Sequence, residues 1–465
     1  MGQTDFRVYH SHIKETLSLS IPVVIGQLGN VLMGVIDNLM IGDLGYTYLS
    51  AASLANGIFF IIVVLGIGIT FAISPLVAEA DAAGNVEVCG LYLRQGIWVG
   101  LISSLILGVL LYFATVALPY MGQPAEDVRL AYSYTHIINF SILPMMMFMV
   151  FKQFTDGLSF TIPAMYITLL GLAFNTFVNW MLIYGHCGFP RLELDGAGYG
   201  TLSSRIFMMV LMIGYVAKSR RLRVYNPFRQ LQKLHFPSIR KIISLGIPSG
   251  LQFFFEVGAF AGAAIMIGWI GAPERAAHQI VINMAATTYM ITSGIAAGVA
   301  IRVGNALGQK NKQNAQRAGF VGLALSAAFM LIMALVFIMA KDWLPRFFIE
   351  DSHVLLIAAQ LMVISALFQL FDGVQSVALG ALRGLQDVQI PTVIAFIAYW
   401  VISLPLGYLL GFSFDLGING FWYSFVIGLA FSAICLSWRF WKLTQTPIEQ
   451  IPSPLNKERM PVSHI

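Results

Sequence analysis

Apolar residues run along this chain in blocks of twenty or more, separated by short polar stretches, over almost its whole length. The blocks fall at 18–41, 54–76, 95–117, 133–155, 163–185, 196–217, 242–268, 276–300, 316–340, 353–380, 391–413 and 418–441. A helix crossing a bilayer core of roughly 30 Å needs about 20 apolar residues, so each block predicts one membrane-spanning helix. A membrane barrel strand would instead alternate apolar and polar residues over about ten positions. The pattern predicts an all-α, polytopic membrane protein with twelve transmembrane helices.

Composition supports this. Of 465 residues, 58% are hydrophobic and only 11% are charged, where an average soluble domain carries about 25% charged. That shortage excludes an ordinary water-soluble fold, and the apolar excess excludes disorder. Cys89, Cys187 and Cys435 are far apart and form no metal-type cluster, so packing roles are expected. The first sixteen residues are polar and no small-residue cleavage site follows, so no removable signal peptide is expected.

With twelve spans, both termini and the loops after helices 2, 4, 6, 8 and 10 share one side. That side holds 21 of the 27 Lys and Arg residues, which places it in the cytoplasm by the positive-inside rule. Eight of these basic residues lie between Lys218 and Lys241, a stretch with no acid. It reads as a topology-setting linker rather than a nucleic-acid or lipid patch, so no nucleic-acid partner is expected.

The chain also repeats. At a constant offset of 226, Ile21-Pro22 falls on Ile247-Pro248, Met40-Ile41-Gly42 on Met266-Ile267-Gly268, and Gly45 on Gly271. Ile162-Pro163 and Ile390-Pro391 open helices 5 and 11. Six helices per repeat is an even number, so the repeats enter the membrane in the same direction. The expected organisation is an N-terminal lobe (1–217), a basic linker (218–241), a C-terminal lobe (242–445) and a tail (446–465). Two pseudo-symmetric six-helix lobes around a central cleft suit a transporter.

Of the 22 acids, only Asp37, Glu256 and Asp372 fall inside the predicted helices. A charge in the bilayer costs several kcal/mol and usually marks an ion or substrate path. Gln252 and Phe260 flank Glu256 at helical spacing, while Phe368, Gln375 and Ser376 share the face of Asp372. Neutral polar or aromatic neighbours rather than counter-charges are expected, Arg205 being the one basic residue deep enough to pair. A hard cation such as sodium takes carboxylate, amide and hydroxyl oxygens. A proton also suits a buried carboxyl, because burial disfavours its ionised form. The Phe253-Phe254-Phe255 run and Phe371 offer ring faces to organic cations, or simply pack. Asn175 and Asn179 are spaced i, i+4 and Thr201 lies just inside helix 6; interhelical glue and a cation site near Asp37 both fit them.

These residues resemble the multidrug and toxic compound extrusion (MATE) family, in its bacterial NorM-like branch. The resemblance rests on IPVVIGQLGNVLMGVIDNLMIGDLG in helix 1, FEVGAF in helix 7, RVGNALGQKN after helix 8 and FQLFDGVQSVALGALRGLQDVQIP across helix 10. It implies a secondary antiporter that expels amphipathic, often cationic compounds in exchange for inward sodium or protons, with no other cofactor. A monomer among the lipids of a bacterial inner membrane is then expected. By position, Asp37, Asn175, Asn179 and Thr201 resemble an N-lobe cation site, Glu256 and Asp372 the C-lobe acids, and Pro22 a proline linked to bending of helix 1. Sodium is expected at Glu256 and Asp372, or at Asp37, Asn175 and Asn179. Phe255, Phe368 and Phe371 are expected to line the cleft. Phe368 stands where some relatives have tyrosine, which removes an oxygen ligand and favours proton coupling.

The nearest rival is a lipid-linked precursor flippase of the same broad superfamily, which would be expected to hold a more cationic cleft. An enzyme is disfavoured, since the chain has no HExxH, GxSxG or GxxxxGK[ST] motif. His278 lies near a helix and is expected to be packed rather than a proton relay.

Overall fold

In a computed structural model the chain is all-α, and the structure describes residues 3–122, 124–229 and 232–445. The expected tail at 446–465 lies outside these residues. Among the described residues, twelve segments are long and apolar enough to span a membrane: α1 (Tyr9–Gly42), α2 (Tyr46–Ala82), α3 (Val86–Tyr120), α4 (Ala125–Gly157), α5 (Ile162–Tyr184), α6 (Glu193–Lys218), α7 (Phe236–Gly268), α8 (Ala272–Gly308), α9 (Lys312–Met339), α10 (Ser352–Gly384), α11 (Gln389–Ser413) and α12 (Gly417–Gln445). Each apolar block of the sequence lies within or within a residue or two of one span. Several run longer than the block, because an apolar criterion sees only the lipid-immersed part. The 37 residues of α8 make a helix of roughly 55 Å, well beyond a bilayer core.

Prolines account for the irregularities. Both α2 and α4 break, at Phe71–Ala72 and at Ser141, about one turn before Pro75 and Pro144. A proline removes one backbone N–H and its ring crowds the carbonyl four residues back. In α11, wide π-type turns at Ile397–Ser403 and Leu409–Ser413 bracket Pro405, and Ser403 Oγ donates to the Ala398 carbonyl at 2.8 Å.

By internal packing the chain forms two compact units. One is Ile25–Gly250; the other combines the residues up to Val24 with those from Leu251 onward. The divisions fall inside α1 and α7, two residues after Pro22 and Pro248, rather than in the basic linker. They are equivalent positions in the repeat, at the same offset of 226.

Packing explains the division. In the Ile25–Gly250 unit, a Cβ on Gly68 of α2 would stand 2.3 Å from the Gly250 Cα, and one on Gly250 would stand 2.6 Å from the Leu65 carbonyl. In the other unit, a Cβ on Gly294 of α8 would stand 2.4 Å from a Val24 side-chain methyl, and one on Gly298 would stand 2.2 Å from Ser20 Oγ. Gly68 and Gly294 are again 226 apart, as are Val24 and Gly250. Charge reinforces both contacts with opposite polarity. Glu15 pairs with Arg302 at 2.6 Å, whereas Lys241, the repeat equivalent of Glu15, pairs with Glu79 at 3.6 Å. Arg302 also donates to the His12 carbonyl and to Thr16 Oγ1, each at 2.7 Å.

The described residues of the basic linker form a strap bonded to the Ile25–Gly250 unit. Arg94 donates to the Asn226 carbonyl at 2.9 Å, Gln95 to the Lys233 carbonyl at 2.9 Å and Tyr225 to Asp81 at 2.7 Å. The core of this unit centres on Phe59, Leu107, Leu111, Tyr134, Ile138 and Met146. The other unit has an aromatic core around Phe368, Tyr399, Phe421, Trp422 and Phe425, and an aliphatic one around Val299, Val377, Leu382 and Leu436.

Candidate functional site

In the Ile25–Gly250 unit, α1, α5 and α6 bring four polar side chains together. Asn179 Nδ2 donates to Asp37 Oδ1 at 2.5 Å and contacts Asn175 Oδ1 at 3.3 Å. Thr201 Oγ1 stands 3.5 Å from Asp37 Oδ2. Asn175 and Asn179 are both 0% exposed, as one turn of spacing on a buried helix face requires. Asn179 can lie there because position 200 is glycine: a Cβ would stand 1.8 Å from Asn179 Oδ1. Asn179 Oδ1 and Asn175 Nδ2 have no hydrogen-bond partner among the described residues. A buried amide atom left unpaired costs about 1–3 kcal/mol, so this cluster retains capacity for a guest.

The groups bonded to Asp37 are neutral, as expected, and among the described residues it makes no ion pair. Arg205 lies one turn beyond Thr201 on α6. Its Nη1 donates to Ser141 Oγ at 2.6 Å and its guanidinium covers the Phe59 ring at 4.8 Å, so its hydrogen bond goes to the break in α4. Tyr134, beside Asp37 and Arg205, donates to Asn56 at 3.4 Å. The i, i+4 spacing of Thr201 and Arg205 was the available signal for this arginine. Nothing in the sequence singled out Tyr134 or Asn56.

In the other unit, Glu256 of α7 and Asp372 of α10 are close enough to act on each other's charge, and Asp372 is 4% exposed. Two tyrosines that the sequence reading missed join them: Tyr289 of α8 and Tyr399 of α11 both feel these carboxyls. Gln375 Nε2 donates to the Tyr399 hydroxyl at 2.8 Å. Gln375 Oε1 is left without a partner among the described residues. Tyr399 is carried in the wide turn Ile397–Ser403 of α11. Below this layer Thr288 donates to Gln369 at 2.7 Å.

The aromatic residues divide. Phe368 is 2% exposed and packs against Phe260, Trp422 and Phe425 with centroids at 6.0, 5.4 and 6.5 Å. It is core rather than a cleft wall, because its ring fills the aromatic layer of the unit. Phe371 packs half-buried against the same core. Phe255 is half-buried, edge-on to Phe396 at 5.1 Å, and Phe253 lies under the Arg383 guanidinium at 5.7 Å. Gln252 turns from Glu256 and donates to the Val388 carbonyl and Thr392 at 3.1 and 3.0 Å. His278 is buried edge-on to Trp422 at 5.7 Å. Cys187 is exposed, so it is not a packing residue; Cys89 is buried.

Two acids that fall outside the predicted helices are buried. Asp156, 2% exposed, pairs with Lys152 at 2.6 Å, and Asp387 pairs with Arg439. Both are structural pairs, and the i, i+4 spacing of Lys152 and Asp156 signalled the first. Among the described residues, no group of three or more His, Cys, Asp or Glu side chains forms a metal cluster.

The MatE family model matches residues 22–181 and 248–409. The probable multidrug resistance protein NorM of Rhizobium meliloti is 34% identical over 448 residues, covering 95% of this chain and 96% of the relative. The multidrug resistance protein NorM of Aliivibrio fischeri is 32% identical, covering 94% and 96%. Among solved structures, the eukaryotic MATE transporter AtDTX14 superposes with a TM-score of 0.86 at 18% identity, covering 95% of this chain and 99% of that one. The Vibrio cholerae MATE transporter VcmN in its bent form gives 0.84 at 17% identity, covering 94% and 98%. At such identities the structural likeness establishes the fold alone.

Proposed function

Because the chain belongs to the MatE family, we propose that it is a secondary active efflux antiporter, not an enzyme. It expels amphipathic, often cationic compounds in exchange for inward sodium or protons. The names of its relatives support the efflux of drugs, and the bias of basic residues supports cytoplasmic termini in a bacterial inner membrane. The observation that carries the coupling is the set of membrane-embedded carboxyls. Asp37 is held only by amide and hydroxyl contacts, and Glu256 and Asp372 repel each other until one is neutralised.

A guest cation or proton relieves both conditions. Coupling ion and drug then compete for the same carboxyls, and cation binding returns the outward-open state toward the inward-open one. Exchange of one coupling ion for one monovalent drug moves no net charge. Its drive is then the ion gradient, about 1.4 kcal/mol per tenfold ratio. A second inward ion adds roughly 2.3 kcal/mol per 100 mV.

The test is efflux of a fluorescent cation from proteoliposomes, comparing a sodium pulse with a pH jump, for the parent and for Asp37→Asn, Glu256→Gln and Asp372→Asn. Release driven by one of the two ions and lost in the variants is expected. Full ion-coupled export by all three variants would sink the assignment.

A further inference from the structure

We infer that the basic strap is a preformed docking surface for anionic phospholipid headgroups, on the membrane face where α6 ends and α7 begins. The inference is independent of what the protein exports. By sequence alone the eight basic residues of 218–241 read as a topology signal, a role that needs only a count of charges near the ends of spans. It needs no folded seat, and the strap has one.

The seat is built from α2, α3 and α4 of the Ile25–Gly250 unit. Gly90 of α3 leaves room for the strap, because a Cβ there would stand 2.0 Å from the Tyr225 carbonyl oxygen. Tyr225 packs edge-on to Phe154 of α4 at 6.2 Å, Phe228 lies 6.1 Å from Phe151, and Leu222 is fully buried. Besides donating to the Lys233 carbonyl, Gln95 accepts from the His235 backbone N–H at 3.1 Å, so both ends of its amide hold the strap backbone. Seating thus relies on backbone groups, aromatic rings and one phenol. Of the strap's cations it engages Lys241, which pairs with Glu79.

The other charges are left facing outward. Lys218, Arg220, Arg221, Arg223, Arg229 and Lys233 are all exposed, and among the described residues none of them makes an ion pair within 4 Å. Glu79 and Asp81, the acids bonded to the strap, are taken by Lys241 and Tyr225. Apolar side chains stand among the cations: Val224 is 61% exposed, Leu234 48% and Phe236 72%.

That mixture fits a lipid boundary, where headgroup phosphates take the cations and the acyl edge takes the apolar tips. Position agrees, since Lys218 is the last residue of α6 and Phe236 the first of α7, and the strap joins the ends of two spans on one face of the bilayer. Each juxtamembrane cation favours anionic lipid by about fivefold. A nucleic acid would meet the same cations, but bases stack on flat rings and would gain nothing from Val224 and Leu234.

In the experiment the purified full chain, in nonionic detergent, is mixed with equal amounts of phosphatidylglycerol and phosphatidylcholine of the same acyl chains. Native mass spectrometry counts the lipids retained. The parent should prefer phosphatidylglycerol at least tenfold. Arg220→Gln with Arg221→Gln and Arg223→Gln should cut that preference at least fivefold, whereas Arg220→Lys with Arg221→Lys and Arg223→Lys should keep it. Tyr225→Phe retains every charge and loosens the seat, so it should weaken the preference at least threefold. Labelling of the exposed Cys187 by an impermeant maleimide in spheroplasts checks that each variant is inserted as the parent is; if the glutamine variant is not, Tyr225→Phe decides.

Equal retention of the two lipids by the parent overturns the inference, as does a preference unchanged by the three glutamines. A preference lost with the arginines but untouched in Tyr225→Phe refutes the preformed seat and leaves a bare count of charges. Displacement of the lipid by a short RNA at equal phosphate concentration assigns the surface to nucleic acid and overturns the inference as well.

Discussion

Gly200→Ala tests the Asp37 cluster through a residue that touches no ion. Helix propensity alone predicts that alanine stabilises α6 by about 1 kcal/mol. The structure predicts the reverse, because the new Cβ would stand 1.8 Å from Asn179 Oδ1 and 2.9 Å from its Cγ. The amide must move by more than 1 Å, which carries Nδ2 away from Asp37 Oδ1 and gives up the 2.5 Å hydrogen bond. A hydrogen bond to a charged group contributes about 1.5–3 kcal/mol, and overpacking adds about 1–3 kcal/mol. The net expected cost is therefore about 1.5–5 kcal/mol. It is read as a lowered thermal midpoint of the detergent-purified protein by tryptophan fluorescence, together with loss of ion-coupled dye efflux. In an Asn179→Ala background the same methyl group keeps only an ordinary contact with the backbone nitrogen of residue 179 at 3.6 Å, so a double-mutant cycle should give a coupling of at least about 2 kcal/mol. Equal effects in both backgrounds, or stabilisation of the parent by alanine, would refute the packing argument.

Three further outcomes are expected. Asp387→Asn leaves the Arg439 guanidinium without its buried partner, which should cost about 3–5 kcal/mol; thermal unfolding should show part of it regained by a second change, Arg439→Met. Arg302→Ala removes the bonds to His12, Thr16 and Glu15, so hydrogen exchange across residues 9–24 should rise at least about tenfold, with little change in α10. Burial and the neighbouring Asp81 carboxylate raise the pKa of Tyr225 above its ordinary value of 10.0. Its bond should therefore hold the strap fully below pH 10 and release it as pH rises through the higher folded-state value. Exchange protection of residues 219–229 should follow that course and be weak at every pH in Tyr225→Phe.

The twelve spans were legible because a bilayer demands long apolar runs, and so was the pairing of Asn175 with Asn179, because one helical turn puts both on one face. The ends of the spans were not. Arg302 and Glu15 sit on helix that continues past the lipid, where polar residues look like loop. Tyr289 and Tyr399 escaped notice for a different reason. A tyrosine in a membrane helix carries the same signal whether its ring packs or its hydroxyl serves a site, and only the folded neighbourhood of Glu256 and Asp372 distinguishes the two. Gln252 misled in the opposite sense. Its spacing from Glu256 was correct, but the Val388 carbonyl and Thr392 hydroxyl, which no local pattern joins to it, take its amide. Phe368 was legible as an aromatic at the right height, and its burial depended on Trp422 and Phe425, more than fifty residues away.

The divisions inside α1 and α7 mean that the chain cannot be dissected where its sequence invites a cut. Cleavage in the basic linker would give two six-helix fragments, each carrying the opening turns that belong to the other unit and lacking its own. Neither fragment is then a self-sufficient folding unit, and co-expressed halves should be recovered together or not at all.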